Sequence, residues 1–168
     1  KVKRYCLRCL IASEIGKENP REAMELPLSP IEQRVKGVLQ DLDDQWESIE
    51  NTSASWTRAV KNAIGSVGKQ LGYAVYCSQC EFEDNGEWLF DLSCFEGEGD
   101  LVLEMPLAME CEWQPEGILE DFQKLLISRA RHRVMVFWQP TDRAWKNCLD
   151  QLIAQIRRYS GTEKGDRY

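Results

Sequence analysis

The sequence predicts an α/β (α+β) domain, a central mixed four-stranded sheet flanked by helices in the order α-β-β-β-α-β-α, with an extra N-terminal helix in front. Three observations lead there. Leu101, Leu103, Met105, Leu107, Met109, Cys111 and Trp113 alternate with Val102, Glu104, Pro106, Ala108, Glu110 and Glu112, the period of two that a strand imposes. Apolar residues recur at three and four along 31–49, 56–71, 118–130 and 145–159, the period of helices packed on one face. A run of strand formers at 132–138 follows the third of these helices, so the strands on either side of that helix are expected to be parallel neighbours.

Residues 1–28 contain Asn19-Pro20 and Pro27 and read as an irregular extension. Ser29-Pro30-Ile31-Glu32 is a helix start: Ser caps, Pro takes the first turn and Glu32 closes a capping box. Ile31, Val35, Val38, Leu42, Trp46 and Ile49 form the stripe of that first helix. The tract 51–55 ends it and caps a second, lined by Trp56, Val60, Ile64, Val67 and Leu71 and stopped by Gly72. Arg58, Lys61 and Lys69 fall on its remaining surface, either as solvated charges or as a strip of phosphate contacts.

A strand is expected from Tyr73 to about Phe82. Asp84-Asn85-Gly86 then reads as a type I′ hairpin turn into a strand carrying Trp88, Phe90, Leu92 and Cys94 on one face and Leu89, Asp91 and Ser93 on the other. The glycine-rich tract 96–100 leads into the long acidic strand, which Pro115 stops. The helix of 117–130 carries Ile118, Phe122, Leu125, Leu126 and Ala130, with Lys124 off that stripe and Glu120 one turn before it. His132, the lone histidine, opens the last strand as a surface or hinge residue. Pro140-Thr141 starts the final helix, and 160–168 reads as a flexible tail. One domain at 29–159, with its core at 54–159, accounts for the chain.

The chemistry concentrates on three acids. Glu110 and Glu112 share a strand face, about 7 Å apart. A hairpin between the two β runs brings Asp91 across from Glu110, with Cβ atoms about 5 Å apart. Such a cluster either lies in solvent as an acidic strand face or holds a divalent cation.

Asp91, then Glu110-x-Glu112 on the next strand, then a crossover helix, resembles the restriction-endonuclease-like PD-(D/E)xK nuclease superfamily over residues 54–159. The family motif has an acid on one core strand and (D/E)-x-K on the next; here Glu112 stands where the lysine usually does. Some members move that lysine to the following helix, which makes Lys124 its candidate here. The resemblance implies a metal-dependent endonuclease. Asp91 and Glu110 would hold Mg²⁺ or Mn²⁺, Glu112 would take a second ion or orient the attacking water, and Lys124 would stabilise charge on the phosphate. Otherwise Lys124 is half of a surface pair with Glu120. Family members often carry a further acid on the first core helix; 56–72 has none, so it is missing or supplied by Glu47 or Glu50. The implied partner is nucleic acid, DNA ahead of RNA, with a homodimer or larger complex also suggested by the family. The rival expectation is a non-catalytic nucleic-acid or protein interaction domain on the same fold, to which the missing motif lysine points.

Composition narrows these classes. With 168 residues, 43% hydrophobic and 29% charged, the chain has enough apolar side chains for a core. A net charge of −7 counts against a general nucleic-acid coat, whose affinity comes from neutralised phosphates. No apolar run approaches the roughly 20 residues of a membrane span, and residues 1–12 are too short and interrupted for a signal peptide. The first residue is Lys1, which fits a trimmed fragment. Seven cysteines, an odd number, favour reduced thiols and a cytoplasmic setting. The Cys6/Cys9 and Cys77/Cys80 pairs lie too far apart for a compact zinc ribbon, and a zinc module built from both is the weaker alternative. No P-loop, dinucleotide fingerprint or Gly-x-Ser-x-Gly motif occurs.

Overall fold

In the long acidic strand the alternation of side chains separates two cores. Leu107, Met109, Cys111 and Trp113 point to one side, while Ala108 and Glu110 point to the other. A computed structural model describes residues 8–10, 27–82, 85–98 and 101–168. The elements are β1 (Arg8–Leu10), α1 (Pro30–Asp44), a short 3₁₀ turn (Trp46–Ser48), α2 (Ser53–Gln70), β2 (Ala74–Cys77), β3 (Leu92–Glu98), β4 (Leu101–Glu112), α3 (Ile118–Ile127), β5 (His132–Phe137) and α4 (Asp142–Arg158). The mixed α/β architecture is the one expected from the sequence. The sheet gains a fifth strand, in the order β1-β5-β4-β3-β2. That strand lies within the stretch expected to be irregular; 1–7 and 11–26, and with them Cys6, lie outside the described residues. Among the described strands, β4 and β5 are the parallel pair, joined through α3, as the crossover rule requires.

Helices α1 and α2 cover one face of the sheet through Ile31, Val35, Leu39, Trp56, Val60, Ile64 and Val67. The expected capping box at Ser29 and Glu32 is present, and Thr52 caps α2 by accepting from the Ser55 amide at 3.1 Å. Gly68 lets α2 approach closely: a Cβ there would meet Cys94 Sγ at 2.6 Å and Val75 Cγ2 at 2.9 Å. Gly72, with φ of +82°, ends the helix in the left-handed conformation that glycine tolerates. The opposite face is covered over β4 and β5 by α3 and α4 through Ile118, Phe122, Leu125, Leu152 and Ile156.

Four local expectations fail, each for a visible reason. Asn85-Gly86 does not close a tight hairpin, since β2 ends at Cys77 and β3 begins at Leu92; Asp84 lies outside the described residues. Gln79 takes φ of +56° just after β2, and Cys77 and Cys80, read as free thiols, are joined in a disulfide across the turn. Leu89 takes φ of +69°, which breaks the expected alternation: Phe90 enters the α3–α4 core, while Leu92 and Cys94 enter the α1–α2 core. Finally, 160–168 packs rather than frays. Tyr168 is buried with the Arg133 guanidinium 4.6 Å from its ring centre, the Arg133 amide donates to Arg167 O at 3.0 Å, and Arg133 pairs with Asp166 at 3.2 Å.

Candidate active site

Register places the acids. Leu92 on β3 opposes Met109 on β4, so Asp91, the residue before β3, comes level with Glu110. The Asp91 amide lies 3.4 Å from Glu110 Oε2, a long hydrogen bond. The Asp91 carboxylate reaches towards Cys111: its Oδ2 accepts from the Cys111 amide at 2.8 Å and from the Cys111 thiol at 3.3 Å. Cys111 also interacts with Thr57, which accepts from Trp113 Nε1 at 2.7 Å. A chain of polar contacts therefore fixes Asp91 against α2. Burial first, and then the Asp91 charge and hydrogen bond, push the Cys111 thiol well above its usual range, so it stays protonated as a donor.

Glu110 faces the other layer and is 2% exposed. Lys124 projects to it from the second turn of α3, with Nζ 2.7 Å from Glu110 Oε1 and 2.8 Å from Asp121 Oδ1. The surface pair with Glu120 is absent from this arrangement; Asp121 at i−3 is the helix partner instead. Glu110 Oε1 is buried with no partner in hydrogen-bonding geometry apart from that ion pair. Burial pushes the Glu110 carboxyl up to about 7; Lys124 opposes this, while the charges of Asp91 and Asp121 add to it. The Lys124 ammonium is held above its usual range by Asp121 and Glu110, against the desolvation that lowers it.

Glu112 does not join the cluster. Although it shares the face of Glu110, β4 ends there, and its Oε1 accepts from the Gln114 amide at 2.7 Å while the carboxylate packs on Gly117. It braces the turn into α3. Among the described residues, no group of three or more His, Cys, Asp or Glu side chains is arranged to hold a metal. Of the three acids, Asp91 and Glu110 are neighbours: the Asp91 amide meets Glu110 Oε2, and the Asp91 charge helps to raise the Glu110 carboxyl.

The basic strip does not form. Lys61 is buried, its ammonium 2.7 Å from Glu87 Oε1 and 3.2 Å from Ser78 Oγ, because its helix position turns it under the connection between β2 and β3. Arg58 and Lys69 are exposed on α2, across the sheet from Glu110, with Lys69 Nζ 5.7 Å from the Phe82 ring centre. His132 is level with Leu107, three residues down β5 from the partner of Glu110; Nε2 lies 3.1 Å from Ser29 Oγ and Nδ1 3.0 Å from Pro106 O. Burial lowers its pKa. The sequence reading passed over Asp121 and Cys111. The first was signalled by its i,i+3 spacing to Lys124; the second reads in sequence only as an apolar strand residue. No helix among the described residues is long and apolar enough to cross a membrane. Comparison with protein-family models, with curated proteins and with solved structures returned no match.

Proposed function

We propose that this chain is a metal-dependent nuclease-like domain that hydrolyses phosphodiester bonds in nucleic acid. The observation that supports it is the meeting of Asp91, Glu110 and Lys124 at one place, from a strand start, a strand interior and the crossover helix. Asp91 and Glu110 would hold Mg²⁺ or Mn²⁺; the buried Glu110 Oε1, with its single ion-pair partner, fits a site completed by a cation. When bound, the ion supplies Lewis acidity and lowers the pKa of a coordinated water. Without the ion the Glu110 carboxyl lies near 7, so a cation would compete with a proton for it at neutral pH. Lys124 is 45% exposed and stays charged, so its ammonium is suited to the negative charge that grows on the phosphate oxygens. Cys111 and Thr57 act through Asp91 by fixing its carboxylate. Glu112 has no part in this proposal.

Cleavage of supercoiled plasmid and of single-stranded DNA with Mg²⁺ or Mn²⁺ tests it. Activity is expected in the native protein and its loss in Asp91→Ala and Glu110→Ala; full activity in those variants refutes the assignment. Lys124→Ala should lose cleavage yet keep the Mn²⁺-induced rise in melting temperature, because a ligand of the folded state stabilises it.

One observation favours a second reading, a non-catalytic interaction domain. The Lys124 ammonium already sits between Glu110 and Asp121, so Glu110 has a counter-charge without a metal. The absence of any Mn²⁺-dependent stabilisation at millimolar metal would select this reading.

A further inference from the structure

The sheet face that carries Glu110 is covered by α3 over β4 and β5, and its β2–β3 part carries a cluster of aromatic rings. Tyr76 opposes Ser93, and Ser93 opposes Ala108, so Tyr76, Phe95 and Glu110 share this face by strand parity. Trp88 lies over Phe95 with ring centres 4.6 Å apart, and Tyr76 meets Phe95 edge-on at 5.5 Å. Phe95 is 4% exposed and Trp88 46% exposed, so a buried ring backs a presented one. Together with Asn85, Glu87 and Glu96, these rings line an open cavity of about 540 Å³.

We propose that this cavity is a nucleobase site that receives an unpaired base of a single-stranded substrate next to the acid cluster; the proposal rests on the nuclease reading above. The size fits a small planar ligand. The chemistry selects a base over a phosphate, because the charged side chains of the lining are Glu87 and Glu96, and a phosphodiester is repelled by both. Glu87 is turned to Lys61 and Ser78, which leaves Glu96, exposed on the rim, as the carboxylate nearest to hand for an exocyclic amine. Carboxylates accept from cytosine N4, whereas thymine offers an oxygen at that position. Tryptophan and tyrosine faces stack on any base that is free of its pairing partner. The site is close enough to act on the same strand. Two residues along and two strands across from Glu110 to Tyr76 is about 12 Å, on the order of three nucleotides of stacked strand.

The test is fluorescence anisotropy with end-labelled oligo-dC and oligo-dT of equal length, with metal omitted so that nothing is cut. Backbone charge and ring size are the same in both probes. The native protein should bind oligo-dC several-fold more tightly than oligo-dT. Trp88→Ala should weaken oligo-dC binding about tenfold, the effect of losing one stacking surface, and Trp88→Phe should restore most of it. Glu96→Gln, a change on an exposed side chain, should bring the two probes together, and it serves independently if Trp88→Ala does not fold. Equal binding of both probes by the native protein, an unchanged affinity in folded Trp88→Ala, or no binding of either probe overturns the base site. Cleavage is read separately. Binding that follows this pattern without metal-dependent cleavage removes the nuclease reading and leaves the base site; cleavage with unaltered Trp88→Ala affinity does the reverse.

Discussion

Glu110 is the group whose charge the fold controls most directly, and its titration gives a stability effect of calculable size. Burial raises its carboxyl from the ordinary 4.5 to about 7 in the folded protein. A group with a folded pKa above its unfolded one stabilises the protein fully below the unfolded value and loses that contribution as pH rises through the folded value. The window is therefore pH 4.5 to 7. At about 1.4 kcal/mol per pH unit, the stability lost across it is about 3 kcal/mol. For a chain of this length that corresponds to roughly 6–12 °C in melting temperature. The perturbation is Glu110→Gln, which keeps the shape and removes the proton equilibrium. Lys124 loses one partner in that variant at every pH, so the quantity to read is the pH slope rather than the absolute stability. Thermal unfolding of both proteins by circular dichroism, in chelator, across and slightly beyond the window should show the glutamine variant gaining on the native protein by about 3 kcal/mol as pH rises. Other titrating groups cancel in that difference. A flat difference, or one that falls with pH, refutes the argument that Glu110 is buried against an inadequate counter-charge.

Gly68→Ala should destabilise by about 1–3 kcal/mol in chemical unfolding, since the new methyl meets Cys94 and Val75 and must push α2 off the sheet; a neutral result would mean that the helix sits further out. Thr52→Ala removes the hydroxyl that caps α2 and should cost about 1 kcal/mol, with Thr52→Ser restoring it. Tyr168→Ala should cost about 3 kcal/mol if the C-terminal segment packs as described, against less than about 0.5 kcal/mol for a side chain in a frayed tail.

What the sequence disclosed follows from which signals are local. Helix starts were legible because Ser29, Thr52 and Thr141 cap, and capping is decided by neighbours within three residues, whereas α1 ends at Asp44, short of the Ile49 that its apolar stripe reached. Strand β4 was legible because its alternation runs uninterrupted, and the β3–β4 register then sets Asp91 level with Glu110. Leu89 defeats the same logic one strand earlier. A leucine at positive φ has no sequence signature, and it turns Phe90 to the face opposite Leu92. Glu112 was misplaced because parity fixes the direction of a Cβ and not the conformation of the side chain beyond it; the Gln114 amide decides that. Lys61 lies outside the apolar stripe yet is buried, since it meets Glu87 from a connection whose path depends on tertiary packing. Three-residue β1 carries too short a run for any period to register.

The energetics of the Glu110–Lys124 pair bear on what the site is for. Bringing a carboxylate to 2% exposure costs several kcal/mol of hydration, and the attraction of a 45% exposed ammonium, screened by solvent, returns only part of it. The rise of the Glu110 carboxyl to about 7 is the measure of that shortfall. Around it the α3–α4 core is built from Ile118, Phe122, Leu125, Met135 and Phe137, and a leucine or glutamine at 110 would pack there with less cost. The fold is therefore held together by its two apolar layers and carries Glu110 as a destabilising member. Strain or charge of this kind concentrates where a group must meet a ligand. A second cation or a protonated carboxyl relieves the shortfall equally well in a folding argument. If added Mn²⁺ lowers the upper end of the pH 4.5 to 7 window and shrinks the stability that the native protein loses relative to Glu110→Gln, the cation competes with the proton for Glu110. If the window stays at pH 4.5 to 7 with metal present, the pair is closed to cations and the acid cluster is structural.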